Sequence, residues 1–479
     1  MRNMFILSLL LLLASCSAKT PGHQPGTLRV HPDNPRYFTD NSGRAIYLTG
    51  SHTWYNFQEP SNPEAGLFDY QRYLDFLEEY NHNFTRLWIW EQASWASWTP
   101  DTVLTRFGHP MPYPRTGPGM ARDSLPRFDL GRFNQAHFSR LRARVEAAEK
   151  RGIYVQVMLF QGFSVRRQGS GTGRDDRGNP WWGHPYNVEN NINGIDGDLD
   201  GDDLGDEVHM LSVPEVTKLQ KAYIRKVIDT LNDMDNVIFE IANESHPKSM
   251  PWQYAMTDYI HEYEQTLPKQ HPVLITMTIP SGSNEELFAS PADAISPKVM
   301  ENEDYKENPP PADGSKVIIS DTDHLWGLGG SGAWVWKSFT RGHNPIFMDP
   351  LMRCYNYPPG VGPAEKPEYE EIRRQMGQTL RYAEKMDLAA MVPSGKLSSS
   401  GYCLANQTPG DAEYLVYLPE GGSVVVDLSA TVGKLIVEWF EPEAGMVTET
   451  WTINGGSAAT SLTAPFDGDA VLYIQTSAN

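Results

Sequence analysis

From Ala45 to Asp387 the chain repeats one pattern: a short aliphatic run, then a longer segment with apolar residues at helical spacing. Strands are expected at 45–52, 83–91, 153–161, from Val237 to Asn243, and at 272–278, 294–298, 316–321 and 344–349. Helices are expected at 68–81, 133–152, 214–232, 251–266, 284–289, 331–341 and 368–387. The helix at 214 starts on Pro214 and carries Val216, Leu219, Tyr223, Val227 and Leu231 on one face. Read as eight strand and helix alternations, this order predicts an α/β chain with a parallel sheet closed into a (β/α)8 TIM barrel.

Two flanking segments break the pattern. The segment 28–48 reads as a hairpin turning at Asn41 to Gly43, placed to plug the lower mouth of the barrel. From about 400 onward only short alternating strands remain, which predicts a small antiparallel β-sandwich packed on the barrel as a cap. The expected division is a signal peptide at 1–15, a linker at 16–27, the barrel with its hairpin at 28–397, and the sandwich at 398–479.

The N-terminus has a positive residue, Arg2, and an apolar run from Phe5 to Leu13 that is too short to span a bilayer. Leu13-Ala14-Ser15-Cys16 resembles the lipobox of bacterial lipoproteins, which implies cleavage before Cys16 and its acylation, palmitate included. The expected location is the outer membrane or cell surface of a Gram-negative bacterium, with membrane contact only through that anchor and a monomeric chain. Cys354 and Cys403 are expected to be inert thiols rather than a disulfide framework. A net charge of −20 argues against nucleic acid or an anionic membrane as a partner and favours a neutral polymer. The chain has 13 Trp, and several stand beside polar residues at expected strand ends, where sugar rings stack.

Strand four ends in Asn243-Glu244, and the C-terminal ends of barrel strands are where chemistry gathers. Hydrolysis of a glycosidic bond needs two carboxyl groups, one to protonate the leaving oxygen and one to attack or to activate water. Glu244 is the candidate acid/base, and strand seven supplies Asp321 and Asp323 as candidate partners. Asp321, directly ending the strand, is the preferred partner; Asp323 is the alternative, or it orients Arg86 or His324. Further strand ends offer substrate-binding candidates: His52 and Trp54; Arg86, Trp88, Trp90 and Glu91; Gln161; Asn243 and His246; His324 and Trp326; and Asp349. So many polar groups ending apolar strands would be costly without a shared polar cavity. Arg166, Arg167 and Arg341 could also line it, in which case an acidic substrate would fit.

The Asn-Glu pair, the Arg86-Leu87-Trp88 run and the acid ending strand seven resemble the clan of retaining (β/α)8 glycoside hydrolases that includes cellulases and mannanases. More closely, "FEIANESH" and "IISDTDHLWG" resemble a bacterial family of cellulase-like proteins related to the apiosidases of glycoside hydrolase family 140. Chains of that family end in a small β domain labelled collagen-binding, to which "VEWFEPEAGMV" is similar. The resemblance implies an enzyme that hydrolyses O-glycosidic bonds of a plant or algal polysaccharide, or an oligosaccharide from one, with no redox or organic cofactor. The larger clan uses Glu on strand seven where this chain has Asp, which leaves retaining and inverting mechanisms both open. A carbohydrate-binding lipoprotein without activity is the alternative. A matrix peptidase is disfavoured, because neither a His-Glu-x-x-His motif nor a serine elbow is present.

The loop after strand three reads "DGDLDGDDLGDE". Asp196, Asp198, Asp200, Gly201 and Glu207 match the spacing of an EF-hand loop, so a structural calcium ion is expected there. Asp203 stands where such loops are usually apolar, and no helix pattern precedes Asp196.

Overall fold

A computed structural model describes residues 26–58, 68–94, 109–165, 179–351 and 366–477. Residues 1–15, Cys16, Arg166, Arg167 and Cys354 lie outside the described residues.

Eight parallel strands form the barrel: β1 (Gly50–His52), β2 (Phe84–Leu87), β3 (Tyr154–Gln161), β4 (Val237–Asn243), β5 (Val273–Thr276), β6 (Ala294–Ser296), β7 (Val317–Asp321) and β8 (Asn344–Met348). Helices α1 (Tyr70–Glu79), α2 (Gln135–Glu149), α3 (Pro214–Leu231), α4 (Met250–Glu264), α5 (Asn284–Phe288), α6 (Thr322–Leu325), α7 (Gly332–Thr340) and α8 (Pro367–Lys385) follow the strands. Their starts obey the sequence: Asp69 caps α1 and Asn134 caps α2 with side-chain oxygens, and Pro214 opens α3. The expected alternation fails at one place. The connection 297–316, between β6 and β7, carries no helix, because Pro297 and the Pro309 to Pro311 run deny it backbone donors.

Consecutive strands pair from β2 through β8, and β8 pairs with β1; no ladder joins β1 to β2. That seam is closed by single bonds instead. Thr85 Oγ1 and Tyr73 OH donate to the Ser51 carbonyl at 2.9 and 2.8 Å, and Asn83 N donates to Thr49 O at 3.2 Å. Gly50 is required here, since a Cβ would lie 2.3 Å from Phe84 O.

Side chains alternate between the two faces of each strand. On β4, Phe239 and Ile241 join the apolar layer under the helices, whereas Ile238 points into the barrel. The lower interior is filled by Ile238, Leu274, Val317, Ile319 and Ile346, and Leu28 and Phe38 of the N-terminal segment complete that cluster. The segment pairs Arg29–Val30 with Phe38–Thr39, then turns again so that Phe38 bridges Ile46. The expected plug is therefore present, with the turn at 41–43 preceded by a second one.

After Met391 the chain forms a six-stranded antiparallel sheet with a two-stranded sheet, Ser423–Val426 and Thr460–Thr463, on one face. The other face packs on α7 and α8, where Trp336 stacks on Tyr417 and Tyr382 donates to Glu438 at 2.8 Å. Arg341 lies over Tyr402 of this sheet, at the end of α7 that leads into β8. It is therefore at the base of the barrel and not at the mouth. Cys403 is buried, and burial pushes its thiol up to about 12. Among the described residues no helix is long and apolar enough to cross a membrane.

Candidate active site

The upper interior is polar, and it is organised by Arg86. Fully buried on β2, Arg86 donates from Nε to Glu240 Oε2 at 2.7 Å and from Nη2 to Asn243 Oδ1 at 2.7 Å. Its Nη1 donates to Asp323 Oδ2 at 3.1 Å and Asp321 Oδ2 at 3.3 Å. Burial opposes the guanidinium charge, but Glu240, Asp321 and Asp323 outweigh it and hold the group charged. The ring of Trp88 lies 4.8 Å beneath Arg86.

Asp321 ends β7 with both oxygens engaged. Its Oδ1 meets His52 Nε2 at 2.9 Å and accepts from the backbone N of Asp323 at 2.9 Å. Burial raises this carboxyl, yet His52 and Arg86 pull it well below the usual range. Asp323 differs. Its side chain is 8% exposed, its Oδ1 accepts no hydrogen bond among the described residues, and burial together with Asp321 pushes it up to about 6.

Glu244 follows β4 in the left-handed region at φ +41°, where a non-glycine residue is strained. Thr276 Oγ1 holds its backbone N at 3.1 Å. Gly162 lies against the other side, where a Cβ would come within 2.3 Å of Glu244 O. Gly162→Ala is accordingly expected to displace Glu244 and lower any turnover at least tenfold while the fold remains, a result readable by assay beside circular dichroism. Burial pushes the Glu244 carboxyl well above its usual range, and Asp323 adds to the shift. Carboxyl oxygens of Glu244 and Asp323 and a ring nitrogen of His324 all lie within 4.8 Å of one another. His324 contacts Ser296 Oγ at 2.6 Å and Asn243 Oδ1 at 3.2 Å, and burial pushes it down to about 3, so it is neutral.

The sequence candidates fall into three groups. Glu244, Asp321, Asp323, His52, Arg86, Asn243 and His324 meet in one cluster. Gln161 joins it by accepting from Asn243 Nδ2 at 3.0 Å, and Trp88 by stacking on His52. Trp54, half-buried, stands edge-on to Trp88, Trp90 is buried beside Trp88, and Trp326 is half-buried against Trp334. The remaining candidates are engaged elsewhere. Asp349 pairs with Arg373 of α8 at 2.7 Å, and His246 Nε2 contacts the carbonyl of Asp206 at 2.9 Å. Glu91 accepts from Gln161 N at 2.7 Å and lies between His184 and His209. Although burial raises Glu91, these histidines draw it down to about 2.

Glu240 and Gln156 were not anticipated. Gln156 Nε2 donates to Glu240 Oε2 at 2.8 Å, so the acid that grips Arg86 is itself anchored. The signal was present, since Glu240 is the one charged residue between Val237 and Ala242 and shares the inward register of Ile238. In the acidic loop, carboxylate oxygens of Asp198, Asp200 and Glu207 lie within 4.8 Å of one another. Asp196 is exposed and outside that group, accepting instead from Asp198 N at 3.2 Å.

Residues 102–294 match a domain of unknown function, DUF6298, which covers less than half of the chain. No curated protein sequence matches. Among solved structures the chain is similar to one described as a glycoside hydrolase, with a TM-score of 0.59 and 14% identity over 94% of this chain and 97% of that one. It is also similar to a glycoside hydrolase family 5 protein from Bacteroides vulgatus, with a TM-score of 0.57 and 14% identity over 95% and 94% of the two chains. At such identities the likeness is one of fold, a barrel shared with glycoside hydrolases.

Proposed function

We propose that the protein hydrolyses O-glycosidic bonds of a plant or algal glycan, with Glu244 as acid/base and Asp323 as its partner. The observation carrying this reading is that carboxyl oxygens of Glu244 and Asp323 approach to within 4.8 Å at the mouth of the barrel, where burial pushes Glu244 well above its usual range and Asp323 only to about 6. Retaining glycosidases hold their carboxyls about 5–5.5 Å apart and inverting ones about 6.5–9.5 Å, and the retaining sequence is the one proposed here. Glu244, kept protonated by burial, gives its proton to the leaving oxygen. Asp323, held by Arg86 and ionised above about pH 6, attacks the anomeric carbon with its free oxygen. Water then cleaves the glycosyl ester, with Glu244 taking the proton. Asp321 has both oxygens engaged, by His52 and by Arg86, whereas Asp323 has one that accepts no hydrogen bond among the described residues, which favours Asp323 over the residue that ends the strand.

A panel of plant and algal glycans, with released sugars read by chromatography, tests the proposal through Asp323→Asn and Asp321→Asn. Asp323→Asn is expected to lose release by at least about 10³-fold, and an azide-accelerated return of activity would mark the vacated nucleophile position. Asp321→Asn is expected to lose less, and the reverse order would transfer the role to Asp321. Binding without release by the parent protein would instead support a carbohydrate-binding role.

The acidic loop supports a separate proposal, a structural calcium ion held by Asp198, Asp200 and Glu207. Hard cations favour converging carboxylates, and desolvation together with Asp200 already raises the Glu207 carboxyl. Calcium at a hundredfold excess over its Kd is expected to stabilise the fold by about 2.7 kcal/mol. Identical melting in calcium and in chelator would overturn the assignment.

A further inference from the structure

The outer face of α3 bears a groove of about 750 Å3 lined by Lys218, Lys221, Arg225 and Lys226, with Asp229 as its single acid. This is an inversion of the chain's overall balance of 60 acidic and 40 basic residues. Several surface cations elsewhere pair with carboxylates, as Arg142 does with Asp233 at 2.6 Å, Arg151 with Glu78 at 2.6 Å and Lys269 with Asp235 at 2.7 Å. Among the described residues, none of the four groove cations lies in an ion pair.

Three of them lie against aromatic rings instead, Lys226 with its Nζ 5.6 Å over Phe138. Lys221 Nζ lies 4.8 Å over the ring of Tyr259, and Arg225 donates to the Tyr259 hydroxyl from Nε at 3.2 Å and from Nη2 at 2.9 Å. Arg225 also lies 5.4 Å over Tyr263, whose ring is within 10° of parallel to that of Tyr259. Phe133 and Leu211, 38% and 49% exposed, add apolar surface. Cations held over aromatic faces keep their charge directed to solvent at little cost in side-chain entropy, as a preorganised anion site requires.

We propose that this groove binds a strand of acidic polysaccharide, carrying carboxylate or sulfate groups, at a site separate from the catalytic mouth. Cations from Lys218 to Lys226 span about 12 Å of helix, which suits a chain with repeated single charges better than one small ion. Apolar rings between charges match a sugar backbone, whose C–H faces alternate with polar substituents. A long duplex would extend beyond the groove onto a surface of net charge −20 and be repelled. The choice of glycan over other polyanions rests on the glycosidase reading, whereas the anion site itself does not.

Affinity electrophoresis of the full protein tests the site, in gels cast with polygalacturonate, with a sulfated galactan, with an uncharged galactan or with DNA. Retardation is expected in one or both acidic glycan gels and not in the uncharged gel, and the responding gel identifies the anion. Lys218→Glu with Lys221→Glu, both on the solvent side of α3, is expected to weaken that binding about tenfold or more while circular dichroism and sugar release from short oligosaccharides stay unchanged. Free migration in both acidic gels, or equal retardation of the variant, would overturn the site. Equal retardation by DNA would overturn the glycan as its occupant. Sugar release by a protein that migrates freely would leave the catalytic proposal standing alone, and retardation without release would do the reverse.

Discussion

Replacing Glu244 by Gln is expected to lower turnover of an unactivated glycan about 10²–10⁴-fold while sparing its binding. The amide keeps the shape of the side chain and removes the proton that the leaving oxygen needs. An aryl glycoside whose phenol departs without protonation should therefore suffer much less in its first step, a contrast that a merely structural defect would not produce. The pH profile carries the same assignment. In the parent the acid limb should fall near pH 6, where Asp323 takes up a proton, and the alkaline limb should mark the loss of the Glu244 proton. The variant should keep the first limb and lose the second. Stability should move the opposite way. A carboxyl whose folded pKa is raised costs stability as pH climbs from its unfolded value through its folded one, and Gln has no such cost. Above that window Glu244→Gln is expected to melt higher than the parent. Full activity in the variant would remove Glu244 from the mechanism.

Arg86→Met is expected to destabilise the fold by about 3–5 kcal/mol at pH 7, because it strands several buried carboxylates at once. Glu240 is fully buried, and it, Asp321 and Asp323 all depend on this guanidinium. Asp321, held below its usual range, contributes stability that is present above its unfolded pKa and lost as pH falls through the folded one. Without Arg86 the carboxyls take up protons at higher pH, so the deficit of the variant should be widest near neutrality and narrow on acidification. Urea unfolding at pH 7 and pH 5 measures this, and equal midpoints for parent and variant at pH 7 would contradict the role given to Arg86.

The barrel was legible because its strands are buried on both faces and its helices on one, which writes two different periods into the chain. The helix missing before β7 was overcounted from the expected eightfold regularity, against the proline run that forbids it. At the site, Glu244, Asp321, Asp323 and Arg86 were found by their place at strand ends. What position along a strand cannot state is which oxygen remains free. That depended on His52 reaching Asp321 past the intervening β8, a contact between residues 269 apart in sequence. Asp349 was misleading for a similar reason, since its partner Arg373 lies on a helix whose buried face reads only as amphipathic. Glu240 was overlooked within an apolar run, where alternation alone set it inside the barrel.

The unpaired edge between β1 and β2 makes the barrel a split ring. His52 stands on one lip of the split and Arg86 on the other, and both grip Asp321. The carboxylate is thus one clasp across the seam, beside the bonds to the Ser51 and Thr49 carbonyls, and loosening it is expected to slacken the scaffold together with the catalytic mouth. Loss of function on altering Asp321 mixes mechanical and chemical causes, whereas Asp323, tied to one lip alone, reports more nearly on the reaction.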